Sequence, residues 1–203
     1  MLGNPRATIA KEATFDEDYF KSLGLDLDKK TILIVMGSLG SSSVNELMKS
    51  ALKGVDDNLQ FLYVCGKDNS QDLNLFENQK NIHVVPYVDT LRIYGHVDGM
   101  VCRAGATTLA EVTALGIPSI VIPSPYVANN HQFYNASMLL RQQACRIIEE
   151  KDLNAETLQG QIVSLYANPI VYEQTHEHAL QMGKPNAAYD IIDLLKNICK
   201  KGN

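Results

Sequence analysis

The sequence predicts an α/β fold, a Rossmann-like parallel sheet with helices on both faces. Short apolar runs rich in valine and isoleucine, such as TILIVM at 31–36, have the length of buried strands. These runs alternate with segments in which apolar residues recur at helical spacing. Glycines stand where several of the runs end, as Gly37 and Gly105 do. Such alternation is typical of a parallel sheet covered on both faces.

Each element follows from its apolar pattern and from the residues that bound it. Strands are predicted at 31–37, 60–66, 81–88, 99–105, 119–125 and 145–150. Helices are predicted between them at 44–55, 89–95, 107–115 and 131–143, and after them at 154–166, 168–181 and from 185 onward. The 203 residues predict a single domain, with 1–30 as a lead-in segment and 154–203 as carboxyl-terminal helices.

The last predicted helix carries one apolar stripe. Its members are Ala188, Ile191, Ile192, Leu195 and Ile198. A stripe of this kind indicates packing against another element. That element belongs either to the same domain or to another part of a longer protein.

Composition excludes several classes of function. A formal net charge of −5 gives no basic surface for nucleic acid. No apolar run approaches the roughly 20 residues that span a membrane. The start MLGNPRAT lacks the pattern of a secretory signal, which favours a cytoplasmic location. The four cysteines have no metal-binding or redox spacing, so they are predicted to be small core residues.

Two glycine-containing turns are candidate phosphate sites, because ligands of open parallel sheets bind beyond the carboxyl ends of the strands. In MGSLGSSS at 36–43, Gly37 and Gly40 allow close backbone approach and Ser38 adds a hydroxyl donor. This turn is equally compatible with a plain helix cap. In the second turn, Gly105 exposes the first N–H groups of a helix that begins near Thr107.

One acidic residue lies a helical turn beyond the second phosphate turn. Glu111 is four residues after Thr107, so both side chains share a helix face. A carboxylate there can accept both hydroxyls of a ribose whose phosphates lie at the helix start. The alternative is a solvated acid favoured by the helix dipole. For Arg103 the alternative to a functional role is pairing with a neighbouring acid.

Two acidic or histidine-rich motifs resemble metal sites, and neither is predicted to bind a metal. DLD at 26–28 precedes the first strand, at the amino end of the sheet, away from both phosphate turns. In HEH at 176–178 the two histidines are two residues apart on a helix and point to different sides. The sequence therefore predicts neither a metal nor a cofactor.

Five segments in order carry a specific resemblance. They are GNPRA at 3–7, MGSLGS at 36–41, CRAGATTLAE at 102–111, GIPSIVIPSP at 116–125 and NNHQFYNA at 129–136. Together they resemble the carboxyl-terminal half of the bacterial MurG family, the peptidoglycan N-acetylglucosaminyltransferases. The resemblance implies one half of a GT-B fold that binds UDP-N-acetylglucosamine (UDP-GlcNAc). Met36 and Leu39 depart from the glycine and glutamine common in the family.

The resemblance assigns roles near the donor's phosphates. Arg6 and Ser38 match positions that contact the donor near its diphosphate. Ala106, Thr107 and Thr108 match positions that face the phosphates and the sugar. Stabilisation of the leaving UDP would then come from helix N-termini and from Arg6, without a metal ion.

It also assigns roles around the nucleoside and the sugar. The backbone near Val88 would pair with the uracil edge, and Glu111 would hold the ribose hydroxyls. His131 and Gln132 would reach the N-acetylglucosamine hydroxyls, with Asn135 supporting their loop. His131, Gln132 and Asn135 are also compatible with a simple helix-capping sequence.

For the whole enzyme the resemblance implies inverting transfer of N-acetylglucosamine to undecaprenyl-pyrophosphoryl-MurNAc-pentapeptide, which converts lipid I to lipid II. The lipid acceptor site, the catalytic base and any peripheral membrane contact would belong to an amino-terminal half outside this chain. No catalytic residue is therefore predicted within it. Two alternatives share the donor: an enzyme like UDP-GlcNAc 2-epimerase, and the donor-binding subunit of a split glycosyltransferase.

Overall fold

A six-stranded sheet forms the centre of the computed structural model. The structure describes residues 2–36, 42–53, 55, 58–67, 76 and 79–201. The strands are β1 (Lys30–Val35), β2 (Leu59–Val64), β3 (Ile82–Val85), β4 (Gly99–Cys102), β5 (Ser119–Val121) and β6 (Arg146–Ile147). Their order is β3-β2-β1-β4-β5-β6, and every neighbouring pair is parallel. This confirms the predicted Rossmann-like sheet.

Helices cover both faces of this sheet. They are α1 (Arg6–Glu12), α2 (Glu17–Ser22), α3 (Ser42–Ala51), α4 (Thr90–Ile93), α5 (Ala106–Leu115), α6 (His131–Arg141), α7 (Ala155–Tyr166), α8 (Pro169–Met182) and α9 (Ala187–Lys201). The strands alternate their side chains between two apolar cores. Leu33 of β1 faces one core, and its neighbours Ile32 and Ile34 face the other. Burial on both faces explains why these strands are continuously apolar in sequence.

The lead-in segment is more structured than predicted. Residues 1–30 contain α1 and α2, which the sequence pattern did not indicate. Both helices are too short to be stable alone, so packing holds them in place. α1 packs against α5 and α9, and α2 packs against α4. Helix α1 is thereby fixed beside the helix that follows the second phosphate turn.

All six strands end two to four residues earlier than predicted, and the last three lead to the loops discussed below. β4, β5 and β6 stop at Cys102, Val121 and Ile147. Beyond Cys102 the chain turns into α5, and beyond Val121 the residue Pro123 has no N–H for a ladder hydrogen bond. The freed residues form the loops at the carboxyl edge of the sheet.

Most of the α9 stripe is not covered within the described residues. Ala187 at the helix start is buried, and Ala188 donates its N–H to Oγ1 of Thr8 in α1, 3.0 Å away. Ile192, Leu195 and Ile198 are exposed, so the described residues do not cover them, and packing against another part of a longer protein stays open for them. Of the four cysteines predicted to lie in the core, Cys65, Cys102 and Cys145 are buried. Cys199 is exposed, because it lies on this uncovered helix.

Candidate donor-binding site

The order of the strands marks where a ligand would bind. From β1 the chain crosses over to β2 on one side, and β4 later pairs with β1 on the other side, so the direction in which strands are added to the sheet reverses between β1 and β4. A crevice forms at such a switch point, outside the carboxyl ends of the strands. Val35 and Cys102, the last residues of the two strands, are paired in the sheet. The two predicted phosphate turns therefore start side by side.

The second of these turns leads into α5. Gly105 is the N-cap residue and has no side chain to cap the helix. The first N–H groups of an α-helix have no partner within the helix, and the helix dipole adds partial positive charge there. Ala106 and Thr107 are exposed at this start, and Thr108 is partly exposed. The start of α5 is therefore exposed, and anion binding there stays a prediction.

Most of the first turn lies outside the described residues, namely positions 37–41, which include Ser38 and Leu39. The expected contact of Ser38 with the donor therefore stays a prediction.

Glu111 lies in the second turn of α5 and is only 5% exposed. Its two carboxylate oxygens bind different partners. Arg6 of α1 donates from Nε to Oε1 and forms an ion pair with it. The hydroxyl of Tyr94 donates to Oε2 at 2.7 Å. Glu111 is therefore a buried carboxylate with two hydrogen-bond partners, and the alternative of a solvated acid is wrong.

The two partners differ in their surroundings. The side chain of Arg6 is 36% exposed, and its hydrogen bond with Glu111 raises its pKa above the ordinary value. Tyr94 is 5% exposed and packs in the apolar core, and this burial raises its pKa, with the Glu111 charge adding to the effect. Arg6 therefore remains charged and Tyr94 remains a neutral donor.

Tyr94 is a site residue that the sequence did not reveal. It begins a 3-10 turn, Tyr94–His96, between α4 and β4. A buried tyrosine hydroxyl needs a hydrogen-bond partner, but the sequence does not say which one. The partner lies 17 residues away on α5, and only the fold brings the two together.

Gln132 and Asn135 hold the α5 turn from the side of α6. Oε1 of Gln132 accepts the backbone N–H groups of Ala104, at 3.2 Å, and Ser124, at 2.9 Å. Nδ2 of Asn135 donates to the carbonyl oxygen of Ala104 at 3.2 Å. These contacts tie Asn135 and Gln132 to the turn that leads into α5. The expected support of the His131 and Gln132 loop by Asn135 stays a prediction.

His131 begins α6 and is exposed. Its Nδ1 lies 2.9 Å from the carbonyl oxygen of Ala128 and must carry the proton of this hydrogen bond. In the neutral ring, Nε2 is then left as an acceptor. Asn129 and Asn130 precede it with left-handed φ values of 54° and 50°, which suit asparagine.

Val88 lies in the loop between β3 and α4, with its side chain buried. The next residue, Asp89, caps α4 by accepting the N–H of Leu91 at 3.2 Å. The N–H of Asp89 also donates to the hydroxyl of Tyr19 in α2, at 3.0 Å. The backbone that was predicted to meet uracil is thus anchored to the core through Val88 and to α2 through Asp89.

Arg103 is a structural residue. Its Nη1 donates to Oε2 of Glu150 at 2.6 Å and to the carbonyl oxygen of Ile122 at 3.2 Å. Both side chains of this ion pair are largely buried. Of the two possibilities that the sequence left open, pairing with a neighbouring acid is the one observed. The pair ties together the loops that follow β4, β5 and β6.

The rejected metal motifs lie away from this site. Asp28 donates its N–H to Oδ1 of Asp26 in a turn at the amino edge of the sheet, and the side chain of Gln60 binds the backbone of Asp26. His176 binds the carbonyl oxygen of Gly116. Across the part of the chain that the structure describes, no three His, Cys, Asp or Glu side chains come together as a metal site.

An apolar cavity of about 280 Å³ adjoins the start of α5. Among its lining residues are Asn4, Ala106, Met138, Met182 and Lys184. Its walls are mainly apolar, which does not suit a diphosphate. The open N-terminus of α5 is the better place for phosphate.

The matched family model is the glycosyltransferase family 28 C-terminal domain, which covers residues 31–195. The chain belongs to this family. Curated members from Caldanaerobacter subterraneus and Thermoanaerobacter sp. (strain X514) are 40% and 39% identical to it, over 90% and 98% of its length. Each is a UDP-N-acetylglucosamine–N-acetylmuramyl-(pentapeptide) pyrophosphoryl-undecaprenol N-acetylglucosamine transferase. The chain spans only 52% and 56% of these two proteins.

Solved structures agree with this family 28 assignment. MurG of Acinetobacter baumannii superposes with a TM-score of 0.77 at 27% identity, over 93% of this chain and 55% of that one. The glycotransferase of kitacinnamycin superposes at 0.65 with 22% identity, over 83% of this chain and 44% of that one, which shows the shared fold alone. The family 28 domain is thus one half of a GT-B fold. Among its described residues, no helix is long and apolar enough to cross a membrane.

Proposed function

We propose that this chain is the donor-binding half of an inverting N-acetylglucosaminyltransferase that uses UDP-GlcNAc. The acceptor is the lipid-linked muramyl pentapeptide named in its curated relatives, two of which are 40% and 39% identical to it. One observation carries the proposal: a buried carboxylate, Glu111, stands one helical turn from the open N-terminus of α5. That arrangement fits a nucleoside diphosphate.

The hydrogen bonds already made by Glu111 leave room for a ribose. A carboxylate offers about four acceptor positions. Arg6 and Tyr94 occupy one position on each oxygen. Two positions remain for the 2′ and 3′ hydroxyls, and the pyrophosphate then reaches the N–H groups at the start of α5. Arg6 has further N–H groups that can bind the diphosphate from the other side.

Within this site the chain stabilises the leaving group. As the bond between the sugar and the diphosphate breaks, negative charge grows on UDP. The dipole of α5 and the charge of Arg6 lie where they lower the energy of that charge. The attacking hydroxyl belongs to the muramyl sugar, and a base from the other half of the enzyme takes its proton. Because the acceptor is attached to a lipid, we place the whole enzyme at the cytoplasmic surface of the membrane.

Calorimetry with four nucleotides tests the proposal. The chain is titrated with UDP-GlcNAc, UDP-glucose, UDP-N-acetylgalactosamine and GDP-mannose. UDP is titrated separately, against the wild type and the Glu111→Ala variant. We expect UDP-GlcNAc to bind in the micromolar to millimolar range and GDP-mannose not to bind. The Glu111→Ala variant should bind UDP more weakly by about 1.5–3 kcal/mol, the usual size of hydrogen bonds to a charged group. Absence of heat with millimolar UDP would contradict the proposal.

A matched variant separates the site from general damage to the fold. Glu156→Ala removes a carboxylate from the first turn of α7, which is exposed. It should leave UDP affinity unchanged. Equal losses of affinity in both variants would remove Glu111 from the binding site.

A further inference from the structure

Two partners hold the Glu111 carboxylate, and only one of them is itself rigidly placed. Arg6 approaches from the surface helix α1 and its side chain is 36% exposed. Tyr94 is 5% exposed, and its ring packs in the core among residues that include Ile93, Val97 and Val112. A long, solvated side chain keeps several rotamers, whereas a packed aromatic ring keeps one. Tyr94 is therefore the fixed partner.

The hydroxyl of Tyr94 sets the direction of the carboxylate. It donates to Oε2 at 2.7 Å, a distance typical of a strong hydrogen bond to a charged oxygen. With Oε2 held by this bond, the remaining lone pairs of Glu111 point in fixed directions. The carboxylate can then accept hydrogen bonds from both ribose hydroxyls in only one orientation of the sugar.

We propose that Tyr94 is a positioning residue for ribose recognition, acting through Glu111. This inference rests on the proposed function, since it takes Glu111 to be the ribose acceptor. Tyr94 touches no ligand itself. Its hydroxyl holds the Glu111 carboxylate in one orientation before the ligand binds, so that ligand binding does not have to order the carboxylate.

The test compares two ligands that differ only at the ribose. UDP carries both hydroxyls and 2′,3′-dideoxy-UDP carries neither. We expect the wild-type chain to prefer UDP by about tenfold or more, which corresponds to about one hydrogen bond to a charged group. In Tyr94→Phe the preference should fall at least threefold, with binding of dideoxy-UDP nearly unchanged. Both ligands are titrated into portions of the same preparation. An unfolded fraction lowers both apparent affinities by the same factor, so it cancels from their ratio.

Tyr166→Phe is the matched control. Tyr166 is also buried, at 3% exposure, and its hydroxyl binds the carbonyl oxygens of Met100 and Pro118 near the amino ends of β4 and β5. Removing this hydroxyl should keep the full preference for UDP. In Glu111→Gln the preference should be small, and adding Tyr94→Phe should not reduce it further.

The outcomes separate this inference from the proposed function. A wild-type preference for UDP that Tyr94→Phe retains in full would overturn the positioning role and leave the proposed function intact. A wild-type chain that does not bind UDP would overturn both. Equal weakening of UDP and dideoxy-UDP in Tyr94→Phe would mean that the hydroxyl serves only the fold, which also overturns the positioning role.

Discussion

At the scale of single residues, the site depends on what surrounds one carboxylate. The position of Glu111 was predicted from its spacing to the helix start, and its burial agrees with a specific role. The partners Arg6 and Tyr94 were not predicted together with it, because they come from α1 and from the turn before β4. Spacing along one helix is visible in a sequence, whereas contacts between distant segments are not.

Arg6 provides a prediction at this scale. The Arg6→Met variant keeps the length of the side chain and removes its charge. If Arg6 binds the diphosphate, the affinity for UDP should fall about 10- to 100-fold, the range for a charged hydrogen bond. The affinity for uridine, which has no phosphate, should change much less. Both affinities can be measured by calorimetry.

An exposed arginine on another helix supplies the control for this prediction. Arg141→Met at the end of α6 should leave both affinities unchanged. Equal weakening of UDP and uridine in Arg6→Met would instead mean that Arg6 acts only by holding Glu111.

At the scale of elements, those from β1 onward were predictable, and the two helices before β1 were not. Every predicted strand is present, and α5 starts within one residue of its expected position. The helices α1 and α2 were missed because seven and six residues give too few turns for a periodic signal. Packing on α5 and α4, rather than helix propensity, makes them helical.

Two glycines give opposite predictions for the same substitution. A Cβ on Gly99 in β4 would lie 2.3 Å from Cε1 of Tyr166 and 2.8 Å from Cδ1 of Ile32. Gly99→Ala should therefore destabilise the fold by about 1–3 kcal/mol through overpacking. A Cβ on Gly160 in α7 would meet no described atom within 4 Å beyond its chain neighbours and the backbone of its own helix. Gly160→Ala should stabilise the fold by about 0.5–1 kcal/mol, because alanine favours helix.

Urea unfolding of both variants measures these changes in the free energy of unfolding. A Gly99→Ala protein as stable as the wild type would show that Tyr166 and Ile32 move aside without cost. A destabilised Gly160→Ala would mean that the helix position is more crowded than its open surroundings indicate.

At the scale of the whole molecule, the strand order brings the separate predictions into one place. The sequence indicated two turns that could bind phosphate, but not that they are neighbours. Their adjacency follows from pairing of β1 with β4, which are separated along the chain by β2 and β3. The described ends of these strands, Val35 and Cys102, lie side by side at the switch point, where ligands of such sheets bind. The strand order therefore determines where the site lies, and the residues at that place determine its chemistry.

His83 should contribute to the pH dependence of the free energy of unfolding. This residue lies on β3 and is half-buried beside Gly24, whose φ is +84°. Burial lowers the pKa of His83, and the charge of Lys29 lowers it further. The unfolded chain then binds a proton more readily than the folded one. The stabilisation is present above the ordinary histidine pKa of about 6.5 and is lost as the pH falls below it.

Urea unfolding at pH 7.5 and pH 5.5 measures this loss. Carboxylates shared by all variants contribute to the same fall in stability, so the comparison between variants is the informative quantity. His83→Asn should show a smaller fall than the wild type, because asparagine does not titrate. His131→Asn removes an exposed histidine and should show the full fall. An equal fall in the wild type and in His83→Asn would mean that His83 takes up its proton as easily in the folded protein as in the unfolded chain.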